Sequence, residues 1–333
     1  MVNPWLQFVI SAAVIVYAGS KLTGSAAVVA DKTGFGTAWA GALMLPLATS
    51  MPELVTTFRA AAINAPDLAV GNILGSCLYN LALLALIDLL EGRSALTSRI
   101  KQGHIITASM SIITISLASI GMIGITQLRI GWIGLETLLI VIIYIFGGRL
   151  IFRYEKKNLD IIDSYLKQQE EDKSLSAGRA LLHFIIAGVF IVAAGVLLTD
   201  AADIIAVQSK LGHTFVGSIF LAISTSLPET VTTISAVKLR HLDMAVANVF
   251  GANFMNLFII SLTDLVYRQG PLLHDVSDFH FMSAIFVILL TAVMIFGLIY
   301  RSRKFVLCFG FDTLIVLLGY ITLVYLLYSS GGN

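Results

Sequence analysis

The sequence predicts an all-α polytopic membrane protein with ten transmembrane helices, arranged as two inverted repeats of five helices each. Hydrophobic residues make up 57% of the 333 residues and charged residues only 12%, whereas soluble domains usually carry about 25% charged residues. Apolar runs of about 20 residues, each long enough to cross a bilayer, recur along the whole chain. In addition, the two halves of the chain repeat one another at a fixed spacing.

The apolar runs define the ten expected spans. The first five cover residues 5–29, 37–63, 67–90, 102–122 and 129–150, and the second five cover residues 180–206, 213–238, 243–266, 279–299 and 305–328. The longest polar stretch lies between the two sets and is too short for a regulatory domain. The chain therefore divides into a first repeat at 1–152, a linker at 153–178 and a second repeat at 179–333.

The repeat rests on one offset. Glu53 and Glu229 are 176 positions apart, and the same offset aligns their surroundings without a gap. It pairs Gly41 with Gly217, Asn72 with Asn248, Gly75 with Gly251, Asn80 with Asn256, and Asp88 with Asp264. Because a unit of five helices ends on the opposite side of the membrane from its start, the second copy is expected to be inverted. Inverted repeats are typical of secondary transporters, whose sites lie near the bilayer midplane.

Basic residues set the expected orientation. The loops after odd-numbered spans lie on one side of the membrane and, with their flanks, hold 17 of the 21 Lys and Arg residues. The other side holds Arg59, Arg129, Lys210 and Arg268. Because cytoplasmic loops are enriched in Lys and Arg, we expect a multi-pass inner (plasma) membrane protein. Both termini would be extracytoplasmic and the linker at 153–178 cytoplasmic.

One phrase occurs in both halves, inside spans 2 and 7. It reads Thr49-Ser50-Met51-Pro52-Glu53 and Thr225-Ser226-Leu227-Pro228-Glu229. A carboxylate within a bilayer is costly unless it is protonated, paired or bound to a cation. The proline beside it removes a helix N–H and frees a carbonyl, and the Thr and Ser hydroxyls add further oxygens. The phrase therefore predicts a shared cation site, in preference to a pair of protonated glutamates that hydrogen-bond between helices.

The helices that follow carry a second set of polar side chains. Ser76 and Asn80 are four residues apart and share a helix face; Asn256 falls on the corresponding face of the second copy, where Ala252 replaces the serine. Amides can donate to the glutamates or offer an oxygen to an ion, although packing between helices is the alternative. Calcium takes six to eight oxygen ligands, and sodium can use the same oxygens with less charge.

Other polar residues are expected to have structural roles. Asp88 and Asp264 lie near span ends, as capping or entrance groups, and Glu136 and Asp312 lie about two turns into spans 5 and 10. The two cysteines, Cys77 and Cys308, are far apart in predicted helices, which argues against a disulfide. The histidines are expected near the membrane interfaces and not at a metal: they are His104, His183, His213, His241, His274 and His280.

At the two T-S-x-P-E phrases and the following G-S/A-x-x-x-N segments, the chain resembles the cation/calcium antiporter superfamily, in particular its prokaryotic sodium/calcium exchanger branch. The resemblance covers nearly the whole chain and implies a fold of ten helices with inverted repeats. It implies Glu53 and Glu229 as the central acidic ligands. The further ligands implied are the carbonyls of Thr49, Thr225 and Ala222, the hydroxyls of Ser50, Ser226 and Ser76, and the side chains of Asn80 and Asn256.

The chain departs from the family pattern at two positions. Many members carry an aspartate where this chain has Asn256, and a serine where it has Ala252. The implied pocket therefore has one acid fewer. The proton-coupled branch carries Asn-Ala-Thr before its glutamate, and this chain does not, which favours sodium.

The resemblance implies a sodium/calcium antiporter that works by alternating access, without a cofactor, as a single chain in the lipid bilayer. Its ligands would be small inorganic cations, and the formal net charge of +1 argues against a nucleic-acid partner. A proton/calcium antiporter is the alternative within this class. A cation channel is a rival from another class, and an intramembrane hydrolase is disfavoured because no nucleophile–base pair is visible.

Overall fold

The computed structural model describes residues 3–91, 95–124, 128–163, 176–208, 223–301, 305–306 and 309–330. Over these residues, seven helices are long and apolar enough to cross a membrane, and the segments Thr37–Thr49 and Phe311–Leu327 are shorter apolar helices. The expected helical, multi-pass membrane fold is therefore confirmed. The exact number of ten spans remains a prediction, because residues 213–222 of expected span 7 lie outside the described residues.

The described residues of the first half form seven α-helices. They are α1 (Pro4–Thr33), α2 (Thr37–Trp39), α3 (Leu45–Thr49), α4 (Met51–Ala62), α5 (Pro66–Glu91), α6 (His104–Ile123) and α7 (Leu135–Asp163). A π-helical turn at Ala40–Met44 joins α2 to α3, and a 3₁₀ turn at Leu96–Ser98 precedes α6. Two short antiparallel strands, β1 (Arg129–Ile130) and β2 (Ile133–Gly134), precede α7.

The second half follows the same order. Its helices are α8 (Ala177–Gln208), α9 (Leu227–Lys238), α10 (Leu242–Val266), α11 (Asp278–Tyr300) and α12 (Phe311–Ser330). Residues 223–225 are also helical. A 3₁₀ turn at Leu272–Asp275 precedes α11, and the antiparallel strands β3 (Phe305–Val306) and β4 (Phe309–Gly310) precede α12.

The predicted starts of spans 5 and 10 are wrong. Residues 129–134 form a hairpin whose strands pair Arg129 with Gly134 and Ile130 with Ile133. Gly131 sits in its turn at φ 66°, a left-handed conformation that glycine adopts at little cost. The corresponding strands β3 and β4 pair in the same register in the second half. Glu136 and Asp312 therefore lie in the first turn of α7 and α12, not two turns inside.

The helix of span 5 extends into the predicted linker at 153–178. Helix α7 continues to Asp163, so residues 153–163 extend span 5 beyond the apolar run that predicted it. At the other end, Ala177 already belongs to α8. Residues 164–175, which carry the remainder of the linker, lie outside the described residues.

Helix α10 lies at the centre of the molecule. Its apolar window is 89% buried, the highest share among the candidate spans found in the described segments. Two glycines allow the π-helical turn to approach it closely. A Cβ at Gly41 would collide with the Met244 carbonyl oxygen, and one at Gly251 would collide with the Ala42 carbonyl oxygen. The helix before the first proline phrase is therefore packed directly against the core helix of the second half.

Asp88 and Asp264 each fasten a loop and a helix start from two parts of the chain. Asp88 accepts hydrogen bonds from Leu96 N at 2.8 Å and from Gly310 N and Thr313 Oγ1. The second aspartate makes the equivalent set at the 176-position offset, accepting from Leu272 N at 2.7 Å, Gly134 N at 2.9 Å and Thr137 Oγ1 at 2.6 Å. Both side chains are fully buried. Of the two roles expected for these aspartates, capping and entrance, the contacts show capping.

Two aspartate–histidine pairs tie further helix starts together. Asp243 Oδ1 lies 2.9 Å from His104 Nε2 and accepts from Lys101 N at 2.8 Å. Asp67 Oδ1 lies 3.1 Å from His280 Nε2 and accepts from the backbone N–H of residue 277 at 2.7 Å. These two histidines lie near helix starts, as expected, and each is engaged by an aspartate of the other half of the chain.

Candidate cation-binding site

Each T-S-x-P-E phrase interrupts a helix at its serine. Helix α3 ends at Thr49 and α4 begins at Met51, with Ser50 between them at φ −84° and ψ 10°. Ser226 takes nearly the same conformation, φ −88° and ψ 11°, before α9. The proline is the second residue of the new helix, where a missing N–H costs nothing because it would have no partner. The break predicted from proline is confirmed and lies two residues before it.

The breaks place Glu53 and Glu229 in the first turns of α4 and α9. Unpaired N–H groups make a helix N-terminus electropositive, which favours a negatively charged side chain there. This gives each buried carboxylate partial compensation that the sequence pattern did not reveal.

The serines cross between the two phrases. Ser50 Oγ donates to Glu229 Oε1 at 3.0 Å, and Ser226 Oγ donates to Glu53 Oε1 at 3.2 Å. Both contacts obey the 176-position offset. Ser226 Oγ also lies 3.0 Å from Ser76 Oγ on α5. The structure therefore brings five of the predicted site residues together, from both halves of the chain.

The site is enclosed by protein. Glu53 is 1% exposed and Glu229 2%, and the other predicted residues of the described set are equally buried: Thr49, Ser50, Ser76, Asn80, Thr225, Ser226 and Asn256. The Thr49 hydroxyl donates to Leu45 O at 3.1 Å, within its own helix. The carbonyl roles implied for Thr49 and Thr225 remain predictions, and Ala222 lies outside the described residues.

Several buried oxygens at the site have no hydrogen-bond partner among the residues that the structure describes. They are Glu53 Oε2, Glu229 Oε2, Asn80 Oδ1 and Asn256 Oδ1. A buried polar atom left unsatisfied costs about 1–3 kcal/mol, and more when it is charged. These four oxygens lie on residues of four helices, and carboxylate and amide oxygens are the types that a hard cation prefers.

Two residues that the sequence interpretation missed hold the asparagines. Asn80 Nδ2 donates to Asn253 Oδ1 at 3.1 Å, and Asn256 Nδ2 approaches Cys77 Sγ at 3.8 Å. Asn253 Nδ2 in turn donates to Cys77 O at 3.1 Å. A signal was present in the sequence, because positions 77 and 253 are themselves 176 apart and each precedes a candidate ligand by three residues.

A second pair of asparagines has a packing role. Asn72 Nδ2 donates to Thr57 Oγ1 at 3.2 Å, and Asn248 Nδ2 donates to Thr233 Oγ1 at 2.9 Å. These bonds fasten α5 to α4 and α10 to α9. They fix the two helices that carry the glutamates against the two that carry the candidate amide ligands.

Arg59, the nearest base in the sequence to either glutamate, is engaged elsewhere. Its Nη1 lies 2.8 Å from Asp200 Oδ1, and both side chains are largely exposed. This ion pair joins α4 to α8 and leaves the charge of Glu53 uncompensated by Arg59. The negative charge of the site therefore remains for another partner.

Comparison with known proteins agrees with this architecture. The family model described as "Sodium/calcium exchanger protein" matches residues 3–148 and 179–329. The chain is 25% identical over 281 residues to the inner membrane protein YrbG of Escherichia coli strain K12, which covers 83% of this chain and 85% of that protein. It is 24% identical over 217 residues to an uncharacterized membrane protein of Methanocaldococcus jannaschii, which covers 65% of this chain and 66% of that protein.

Among solved structures, the sodium-calcium exchanger NCX_Mj, from crystals soaked with Na⁺ and Ca²⁺, superposes with a TM-score of 0.73 at 19% identity. The match covers 98% of both chains, so the two proteins share one fold. The family model spans most of the sequence on both sides of the linker. The chain therefore belongs to the sodium/calcium exchanger protein family, and it is a multi-pass membrane ion transporter of the cation/calcium antiporter class, not an enzyme.

Proposed function

We propose that the protein exchanges sodium for calcium by alternating access at a site between Glu53 and Glu229. The observation that carries this proposal is the crossed serine–glutamate pair, in which each buried carboxylate is held by the other half and retains one unpartnered oxygen within the described residues. Two carboxylates supply a charge of −2, which one Ca²⁺ or two Na⁺ would neutralise. Competition for one shared charge is the physical basis of exchange.

The proposed ligand set follows from the same contacts. Glu53, Glu229, Asn80 and Asn256 contribute side-chain oxygens, and Ser50, Ser226 and Ser76 contribute hydroxyls. Backbone carbonyls of Thr49, Thr225 and Ala222 complete the shell. The oxygen chemistry of this set supports Ca²⁺ and Na⁺ as the transported ions, because both prefer hard oxygen ligands and Ca²⁺ tolerates flexible geometry.

We extend the proposal to the topology, with ten spans in two inverted repeats, at 1–152 and 179–333, joined by a cytoplasmic linker. Support comes from contacts that the 176-position offset relates to one another. They are the crossed serine–glutamate bonds, the caps made by Asp88 and Asp264, the aspartate–histidine pairs, and the pairings of β1 with β2 and of β3 with β4. Substituted-cysteine labelling tests the orientation. A cysteine that replaces Lys167 is expected to be protected from labelling in intact cells, and one that replaces Asn333 is expected to be labelled. The reverse pattern would mean that the proposed orientation in the membrane is wrong.

A proton/calcium antiporter is the second candidate, and Asn256 is the observation that favours it. With an amide at that position, the two glutamates are the only acidic ligands proposed, and two protons would neutralise them as well as two Na⁺. The sodium assignment is supported instead by the likeness to an exchanger whose structure was determined with Na⁺ and Ca²⁺, and by the absence of the proton-branch phrase before Glu53 and Glu229.

Calcium uptake into proteoliposomes tests these alternatives. Proteoliposomes that contain the purified protein are loaded with Na⁺, K⁺ or acidic buffer in turn. They are then diluted into medium without the loaded ion, and uptake of labelled Ca²⁺ is followed. Uptake driven by outward Na⁺ alone is the expected result. Uptake driven only by the proton gradient would replace sodium with protons, and Ca²⁺ flux that needs no counter-ion would favour a channel. Liposomes with Glu53→Gln protein provide the matched control.

A further inference from the structure

The two asparagine ligands are held in different ways. Asn80 and Asn256 occupy equivalent positions in the two halves, and each is contacted by the residue at the equivalent position of the opposite half, Asn253 or Cys77. All four side chains are buried. The local pattern is therefore symmetric in position but not in chemistry, because one holding group is a carboxamide and the other a thiol.

Asn253 permits one orientation of the Asn80 amide. Its own Nδ2 donates to Cys77 O at 3.1 Å, which fixes the orientation of the Asn253 amide and turns its acceptor Oδ1 toward Asn80. A carboxamide presents donors on one side and an acceptor on the other. Asn80 must therefore turn its NH₂ toward Asn253, which directs Oδ1 away from it, and that oxygen has no partner among the described residues.

Cys77 permits both orientations of the Asn256 amide. A thiol is a weak donor and a weak acceptor, so Sγ can accept from Nδ2, as in the structure, or donate to Oδ1 after a half-turn of the amide. The observed contact is long, at 3.8 Å. Neither orientation is strongly preferred by the thiol, so the charges around the amide decide between them.

We propose that Asn253 is a positioning residue that fixes Asn80 as a permanent oxygen ligand, whereas Cys77 leaves Asn256 free to reverse its amide with the state of the site. This inference rests on the proposed function. With a cation bound, Asn256 presents its oxygen to it. After the cation leaves, the reversed amide offers N–H donors to the carboxylates of Glu53 and Glu229. Each of these carboxylates has one oxygen without a partner among the described residues. The reversal stabilises the empty site.

Exchange of the two holding residues tests the idea. Asn253→Cys removes the fixed acceptor, so the KM for Ca²⁺ is expected to rise about five- to tenfold, the equivalent of one hydrogen bond, with kcat retained. Cys77→Asn fixes Asn256 as an oxygen ligand, so KM is expected to fall and kcat to fall with it by a similar factor. The double exchange Cys77→Asn/Asn253→Cys is expected to return both parameters toward wild type.

Two further variants separate positioning from packing. Cys77→Ser keeps a small group that donates and accepts, so it is expected to change KM and kcat less than Cys77→Asn does. Asn72→Ala removes a buried amide on the same helix as Cys77 but outside this pair. It is expected to lower thermal stability without the changes in KM and kcat that are expected of Asn253→Cys and Cys77→Asn. If Asn253→Cys misfolds, Asn253→Ser provides the same comparison, because its hydroxyl also donates or accepts.

The result that would overturn the inference is unchanged KM and kcat in folded Asn253→Cys and Cys77→Asn protein, or equal effects in both. Failure of the proposed function is recognised separately, by wild-type protein that shows no coupled Ca²⁺ flux. In that case the same variants are compared by calorimetric titration with CaCl₂ and with NaCl. A weaker dissociation constant in Asn253→Cys and a tighter one in Cys77→Asn would uphold the positioning role; equal constants would reject it.

Discussion

Among the repeat-related pairs of buried acids, Asp88 with Asp264 and Glu53 with Glu229 have opposite surroundings. Asp88 and Asp264 each accept three hydrogen bonds from backbone and threonine donors. Glu53 and Glu229 each receive one serine hydroxyl and retain an oxygen with no partner in the described part of the chain. A satisfied carboxylate holds structure together, whereas an unsatisfied one needs a ligand. Sequence alone does not show which of these carboxylates have their hydrogen bonds satisfied.

The comparison predicts its largest effect at the glutamates. Glu53→Gln or Glu229→Gln is expected to reduce Ca²⁺ uptake at least about 100-fold, or about 3 kcal/mol, because half of the site charge is lost while shape is kept. The measurement is Na⁺-driven uptake in proteoliposomes, with folding checked by size-exclusion chromatography. Asp200→Asn, which removes one carboxylate charge from an exposed ion pair with Arg59, is the charge-matched control and is expected to transport normally. Near-normal flux in either glutamate variant would end the shared-site model.

The aspartates are expected to show the reverse pattern. Asp88→Asn or Asp264→Asn places NH₂ groups against backbone N–H donors, which should lower the free energy of unfolding by about 2–3 kcal/mol. Thermal melts in detergent measure the loss. The folded fraction is expected to keep the wild-type KM for Ca²⁺, since neither side chain contacts the described site residues. A changed KM at unchanged stability would instead make these acids part of the ion path.

Adding an acid should sharpen the difference. At an effective dielectric constant near 20, a charge about 4 Å from a cation is worth about 4 kcal/mol before desolvation, so Asn256→Asp is expected to tighten Ca²⁺ retention about tenfold after that cost. The flux–pH profile should move to higher pH, because the new carboxyl must lose its proton before a cation binds. Asn80→Asp is expected to behave in the same way. Profiles that match wild type would mean that neither amide faces the ions.

The smallest expected effect concerns the crossed serines. Ser50→Ala or Ser226→Ala removes one hydroxyl from the opposite glutamate, and a neutral hydrogen bond contributes about 0.5–1.5 kcal/mol. The KM for Ca²⁺ is therefore expected to rise about two- to tenfold for each variant. Because the bonds are equivalent, the two variants should agree within about threefold. A large effect in one alone would mean that the two halves contribute unequally to the site.

The sequence by itself determined the class, the repeat and the central residues of the candidate site. Low charge content and long apolar runs indicate a membrane environment. A soluble domain carries more charged residues on its surface, and runs of about 20 apolar residues match the thickness of a bilayer. The 176-position register identified Glu53 with Glu229, and the Ser-x-Pro-Glu spacing located both helix breaks. These features are local, because they depend on hydropathy and on the missing N–H of proline.

Only the tertiary structure decided which polar groups meet. The sequence predicts helix at the hairpin of residues 129–134 and at strands β3 and β4, because these segments are largely apolar, and hydropathy does not distinguish backbone pairing between strands from pairing within a helix. The crossed serines, the capping role of Asp88 and the holding roles of Cys77 and Asn253 depend on side-chain directions across helix interfaces. A repeat tells which residues are equivalent, but packing decides which of them touch, because the contacts between the two halves join residues more than a hundred positions apart.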